Sequence, residues 1–274
     1  DILPVRALAR KKIAALAITE PGGGSDVAAL RTRARREGEH YVIDGEKTFI
    51  TSGMRADWLT VAVRTGEEKG ASGISLLLVP GDSPGLARSR LDKMGWECSD
   101  TAHLFFDGVR VPASHLLGAE GEGFRAIMSN FNGERLGIAC GALGFAQACY
   151  DEALSWAQQR KTFGVTLNQH QVIRHKLVDM QQRIRSTEAW LNAVAARADA
   201  GDTGADWVGE VCVLKNHATQ TMQHCADTAV QILGGMGFMR GTVSERIYRE
   251  VKVLTIGGGT EEIMKELAAR QWHI

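Results

Sequence analysis

The chain has 274 residues, 44% hydrophobic and 23% charged, with 32 basic residues against 32 acidic ones. That length suffices for one or two cored domains, and a formal net charge of zero removes the electrostatic footprint of a nucleic-acid or anionic-membrane binder. No apolar run reaches the roughly 20 residues that cross a bilayer, and the opening DILPVRALARKK lacks a signal-peptide core, so a soluble intracellular protein is expected. The five cysteines (Cys98, Cys140, Cys149, Cys212 and Cys225) are odd in number and contain no CxxC pair, which argues against both a disulfide framework and zinc. None of the histidines shows HExxH spacing. His217 and His224, seven apart, read as packing or surface residues rather than metal ligands.

Up to about residue 118 the chain alternates short β-type runs with turn signals. AALAITE is followed by PGGGSD, and YVI by Asp44-Gly45 and EKTFIT. WLTVAV, ISLLLVP with its GDSPG, and HLFFDGVRVP complete the set. Asp-Gly between alternating segments predicts a hairpin turn, and several short strands at this spacing predict an antiparallel barrel or sandwich over residues 1–118.

After GAEGEG (118–123) the period becomes helical. A helix is expected from about Glu134 to Lys161. Leu177, Met180, Ile184, Thr187, Leu191 and Val194 form one stripe, and Val208, Val211, Lys215, Ala218, Met222, Cys225, Ala229 and Ile232 form another. The connector GDTGAD (201–206) is short, so these helices should pack antiparallel. Lys215 interrupts its stripe, for which snorkelling or an interhelical polar contact is the economical reason. Thr260 is a candidate N-cap for a last helix, with Glu261 and Glu262 favourable at its positive end. The expectation is an up-down four-helix bundle over 119–274. The clusters PGGGSD, ILGGMGF and IGGGTEE sit at element ends, where glycine permits positive φ or close approach. None fits a Rossmann or P-loop pattern.

Together these motifs resemble the flavin-dependent acyl-CoA dehydrogenases. AITEPGGGSDVAAL (17–30) resembles the family's TEPxxGSD signature, and DGEKTFITSG (44–53) its NGxKxWITNG segment. CSDT (98–101) with FFDGVRVP resembles the end of its β-domain, and QQRKTFG (158–164) with NQHQ (168–171) its R-x-x-FG hinge. AVQILGGMGF (229–238) and YREVKVLTIGGGTEEI (248–263) resemble its last two signatures. The resemblance runs over about residues 13–271 and covers the family's middle and C-terminal domains. The N-terminal helical domain usual in the family is expected to be absent, since the chain starts just upstream of the first signature.

The resemblance implies FAD as cofactor, an acyl-CoA substrate, electron-transfer flavoprotein as electron acceptor, and a homodimer or homotetramer in the bacterial cytoplasm or mitochondrial matrix. No nucleic acid and no membrane span are expected. In the family's pattern Ile18 and Thr19 would bind the flavin pyrimidine and Ser25 the pyrophosphate and substrate. Phe49 would lie beside the isoalloxazine, where relatives often have Trp, and Thr51 would face N5. Arg160, Phe163, Gln231 and Gly235 would meet FAD across a subunit interface, and Gln171, Thr260 and Glu262 complete the cofactor set. Many relatives carry the catalytic base immediately before Gly259-Thr260, where this chain has Gly258. The isovaleryl-CoA and long-chain branches instead carry it on the long helix, at the position of Glu134 here. Glu134 is thus the expected base, with Gly258 donating its N–H to the thioester, and Arg135 and Gly259 as substrate contacts. Gly257, where an aromatic is common, would widen the pocket. Acyl-CoA oxidase activity and a non-catalytic flavin- or CoA-binding relative are the alternatives.

Overall fold

The computed structural model describes residues 12–68 and 70–274. All but the last residue of the opening DILPVRALARKK therefore lies outside the described residues. The chain forms two compact units, divided between Ser129 and Asn130.

The first unit is built on one sheet of eight strands. They are β1 (Ala14–Ala17), β2 (Arg33–Glu37), β3 (His40–Thr51), β4 (Trp58–Arg64), β5 (Ile74–Pro80), β6 (Leu86–Arg90), β7 (Thr101–Pro112) and β8 (Leu116–Leu117). The order is β6-β7-β3-β2-β4-β5-β8, with β1 also on β4. Pairing is antiparallel except where β1 and β2 run parallel to β4. Leu59, Val61, Val63, Leu77, Val79, Leu104 and Val109 are fully buried in its core.

Asp44-Gly45 is not a turn. Strand β3 runs straight through it, and the hairpin joins β2 to β3 one turn earlier, where Glu37 pairs with His40 and Gly38 takes φ 61°. The Asp-Gly pair instead makes a bulge between Ile43 and Gly45 in the register with β7. Asp44 Oδ1 accepts the N–H of Gly108 across that gap at 2.8 Å. Gly45 has φ 143°, and a Cβ there would lie 2.8 Å from the backbone of Thr32. Turn propensity lost to a sheet that closes on both sides of the site.

The second unit is helical: α1 (Gly123–Gln159), which enters it at Asn130, is followed by α2 (Gln171–Asp199), α3 (Ala205–Leu233), the single turn α4 (Gly235–Phe238), α5 (Val243–Ile256) and α6 (Glu261–Trp272). Helix α1 starts eleven residues before the expected Glu134. Its early glycines punctuate nothing, because packing outweighs the roughly 1 kcal/mol that each glycine costs a helix. Along α1 the positions with no exposed surface are small: Ala139, Ala142, Ala146, Cys149, Ala153 and Ala157. Small residues at three- and four-residue spacing admit a close neighbour. Both expected stripes face the core. On α2 every named residue is buried, and on α3 all but the half-buried Val208. Helix α5 was not expected, although Thr242 and Glu245 carry the T-x-x-E start signal and Thr242 Oγ1 accepts the Glu245 N–H. Helix α6 begins as read, with the Thr260 side chain accepting from Ile263 N. No helix among the described residues is long and apolar enough to cross a membrane.

Candidate active site

In the first unit a buried ion pair organises the TEPGGGSD turn. Lys47, with no exposed surface, donates to the Ile18 carbonyl at 2.9 Å and to Glu20 Oε1 at 2.8 Å. The Glu20 carboxylate also accepts the backbone N–H groups of Arg31 and Thr32. Desolvation pulls the ammonium of Lys47 down to about 8 against the pull of Glu20. Burial also works to raise the Glu20 carboxyl, but Lys47 and the hydrogen bonds from Thr32 outweigh it and leave it below the usual value. Around this pair the backbone is pinned: Thr19 O accepts Thr48 N at 2.9 Å, and Gly23 N donates to Glu20 O. Neither Lys47 nor Glu20 was singled out in the sequence, although a lysine inside a strand whose neighbours face inward was a visible signal.

The next residues of β3 form a second bulge. The register with β7 jumps between Lys47 and Ile50, and Phe49 adopts φ 59°. A left-handed aromatic costs about 1 kcal/mol or more, and this one is 71% exposed. Thr51 is exposed two residues on, and Thr19 reaches the same stretch through Thr48. Ser25 is exposed at the end of the turn, while Ile18 is buried and offers only backbone. A strained, uncovered ring beside small polar groups and unencumbered turn glycines (Gly22 and Gly23 have no neighbour within 4 Å of a Cβ) fits a flat, polar-edged ligand.

In the second unit the run Gly257-Gly258-Gly259 lies between α5 and α6. Gly258 and Gly259 have φ 69° and 112°, and a Cβ would meet Ile138 Cδ1 at 3.0 Å or collide with Met264. Gly257 has an ordinary φ of −63°. Arg135, 4% exposed, donates Nε to Gly258 O at 3.0 Å and Nη1 to Asn132 Oδ1 at 3.1 Å. Its guanidinium lies 5.6 Å from the Phe131 ring centroid. Lys215, fully buried, donates to Gly259 O at 2.7 Å and Thr255 O at 3.2 Å, an interhelical polar contact as read. Desolvation lowers Lys215 to about 8 and also lowers Arg135.

Glu134 is exposed, and its Oε1 accepts from Asn130 Nδ2 at 2.6 Å. It stands one full turn before Ile138, on the same helical face, and one residue before Arg135. Both of those neighbours touch Gly258. Thr260 caps α6, and Glu262 is exposed in its first turn.

The remaining expected residues lie away from the glycine run in sequence and on the surface. Arg160 ends α1 and Gln171 opens α2. Between them β9 (Lys161–Thr162) and β10 (Val165–Thr166) form a hairpin. Its two turn residues, Phe163 and Gly164, have φ 51° and 83°, and the Phe163 ring is 98% exposed. Gln231 and Gly235 are exposed at the end of α3 and in α4. Among the described residues no cluster of His, Cys, Asp or Glu could hold a metal.

Comparison with known proteins identifies the two units by family. The family described as acyl-CoA dehydrogenase, C-terminal domain, matches residues 121–273, and acyl-CoA dehydrogenase, middle domain, matches residues 15–109. The mitochondrial isobutyryl-CoA dehydrogenase of Dictyostelium discoideum is 36% identical over 262 residues, covering 95% of this chain and 62% of that protein. The chain thus spans less than two thirds of that relative's length. A probable acyl-CoA dehydrogenase from Mycobacterium abscessus is similar at 52% identity and a TM-score of 0.95, over 97% of this chain and 70% of that one. A glutaryl-CoA dehydrogenase from Mycobacterium smegmatis, solved in complex with FADH2, gives 29% identity and a TM-score of 0.91, over 97% and 67%.

Proposed function

Since the chain belongs to the acyl-CoA dehydrogenase family, we propose that it carries out FAD-dependent α,β-dehydrogenation of an acyl-CoA thioester to the trans-2-enoyl-CoA. Electron-transfer flavoprotein is the proposed onward acceptor, a homodimer or homotetramer the working assembly, and the bacterial cytoplasm or mitochondrial matrix its place. The observation that carries the reading is the seat of Gly258 against Arg135 and Ile138. It brings the face of α1 that bears Glu134 to a stretch of main chain with no side chains.

Glu134 is the proposed base. Its carboxylate takes the α-proton, the C–H electron pair moves into the new α,β double bond, and the β-hydrogen departs as hydride. When bound, FAD would supply the two-electron acceptor for that hydride. Gly258 N–H is proposed to polarise the thioester oxygen, and its missing side chain leaves room for a carboxylate arriving from the helix. Ile18, Thr19 and Ser25 would hold the polar parts of the cofactor, Phe49 its ring and Thr51 its N5 edge. The exposed, left-handed Phe163 beside Arg160 supports a contribution, together with Gln171, Gln231 and Gly235, to the cofactor of a second copy. Thr260 and Glu262 are proposed at the same group, and Gly259 at the substrate. Arg135 is proposed to serve the substrate through the run it grips.

The substrate class proposed is a branched or bulky acyl group. Gly257 supports it, because its φ of −63° demands no glycine and a side chain there is given up for space. The D. discoideum relative, named for isobutyryl-CoA, points the same way.

Glu134→Gln tests the base. FAD content should be unchanged while turnover falls by about two to four orders of magnitude; unchanged turnover with any acyl-CoA of a linear and branched panel would sink the assignment.

A further inference from the structure

Lys215 is a fully buried cation whose recorded partners are two carbonyl oxygens, those of Thr255 and Gly259. One residue earlier in the run, the Gly258 carbonyl is held by Arg135, also buried. The two cations repel one another, and the carboxylates whose charge acts to stabilise the Lys215 ammonium are Glu261 and Glu262 in the first turn of α6. Glu261 is itself occupied with Gln220 at 2.9 Å. Burying an ammonium without a directly bonded carboxylate is costly, and an apolar side chain of similar length would pack the same space more cheaply. What the cations accomplish is orientation. A trans peptide is planar, so its N–H points opposite to its C=O. With the carbonyls of residues 258 and 259 drawn toward Arg135 and Lys215, the N–H groups of Gly259 and Thr260 face the other way.

We infer that Lys215 is a positioning residue for the dehydrogenation, fixing the peptide planes that follow Gly258 so that the Gly258 N–H and the positive field behind the run meet the thioester oxygen as it gains negative charge. This rests on the reading of Gly258 and Gly259 as the thioester seat. Because Lys215 acts through main chain, its loss weakens transition-state stabilisation more than ground-state binding.

The test uses the FAD-loaded protein with Lys215→Met, which removes donor and charge, and Lys215→Gln, which keeps a neutral donor. Glu134→Gln runs in the same assays. In Lys215→Met, kcat should fall at least about tenfold while KM stays within about twofold, with Lys215→Gln between it and the parent. A second readout needs no turnover. The 3-thia analogue of an acyl-CoA, which has no hydride to lose at position 3, ionises at its α-carbon when bound, and its long-wavelength absorbance follows that ionisation with pH. Lys215→Met should shift the midpoint by about one unit or more to higher pH, about tenfold in acidity. Folded Lys215 variants with parental kcat and midpoint overturn the inference. Failure of both variants to fold assigns Lys215 to the scaffold and overturns it as well. If Glu134→Gln is dead while the Lys215 variants are normal, only this inference falls; if Glu134→Gln is normal, the base assignment falls.

Discussion

Within the glycine run, Gly257 and Gly259 make different demands on the backbone, and substitution separates the two. Gly259 combines a φ of 112° with the buried Met264 where a Cβ would stand. Gly259→Ala should therefore cost more than about 1 kcal/mol through backbone strain alone, with displacement of Met264 added to that. Gly257→Ala meets an ordinary φ and only Val253 O at 3.3 Å, and should change stability little. Urea unfolding monitored by circular dichroism ranks the two; equal losses would refute the distinction. If the space at 257 serves the substrate, Gly257→Ala should lower kcat/KM for isobutyryl-CoA more than for butyryl-CoA. Lys47 makes the opposite point about buried charge. Lys47→Met strands the Glu20 carboxylate, whose side chain is 9% exposed, and should destabilise the sheet unit by about 3–5 kcal/mol. The same urea titration reads it, and a loss below about 1 kcal/mol would show the pair to be dispensable.

At the level of elements, periodicity was the most readable signal. The stripes on α2 and α3 were legible because burial of one helical face demands apolar residues every three or four positions. Lys215 was legible as an exception for the same reason, although the carbonyls it meets come from the last turn of α5 and the loop after it, forty and forty-four positions away, and leave no local trace. The Asp44-Gly45 bulge was misread because a dipeptide's turn propensity says nothing about whether the neighbouring strand continues past it. Helix α5 went unread although its start signal was present, because glycines crowd both its ends and read as turn signals. Glu134 was found by family resemblance. Its spacing to Ile138 explains it only once Gly258 is known to lie against that turn. Thr242→Ala tests the cap at α5 and should cost about 1 kcal/mol, read as a lower thermal midpoint of the helical signal.

For the molecule as a whole, pH and cofactor are the two levers. His217 and His224 lie on one side of α3, and their Nε2 atoms are buried without a partner. Desolvation and the charge of Arg183 hold both below the usual histidine value. The folded state thus binds fewer protons than the unfolded one. Their contribution is present above the unfolded value of 6.5 and is lost as pH falls through it toward the folded values. The thermal midpoint should drop between pH 7 and pH 5, and a His217→Gln, His224→Gln double variant should flatten that slope. FAD, binding the folded state alone, should raise the midpoint with concentration, adding about 2.7 kcal/mol of stability at a hundredfold excess over its Kd. A midpoint indifferent to FAD would contradict the cofactor assignment.

The hairpin tip at Phe163 has an implication for engineering. Primed two-residue turns favour Asn-Gly at this place, so Phe163→Asn removes about 1 kcal/mol of left-handed strain and an oily ring from solvent. A screen for heat resistance in the apoprotein would select that exchange. If the ring docks on the neighbouring copy's flavin, the survivor would be a sturdier protein that leaks its colour on dilution.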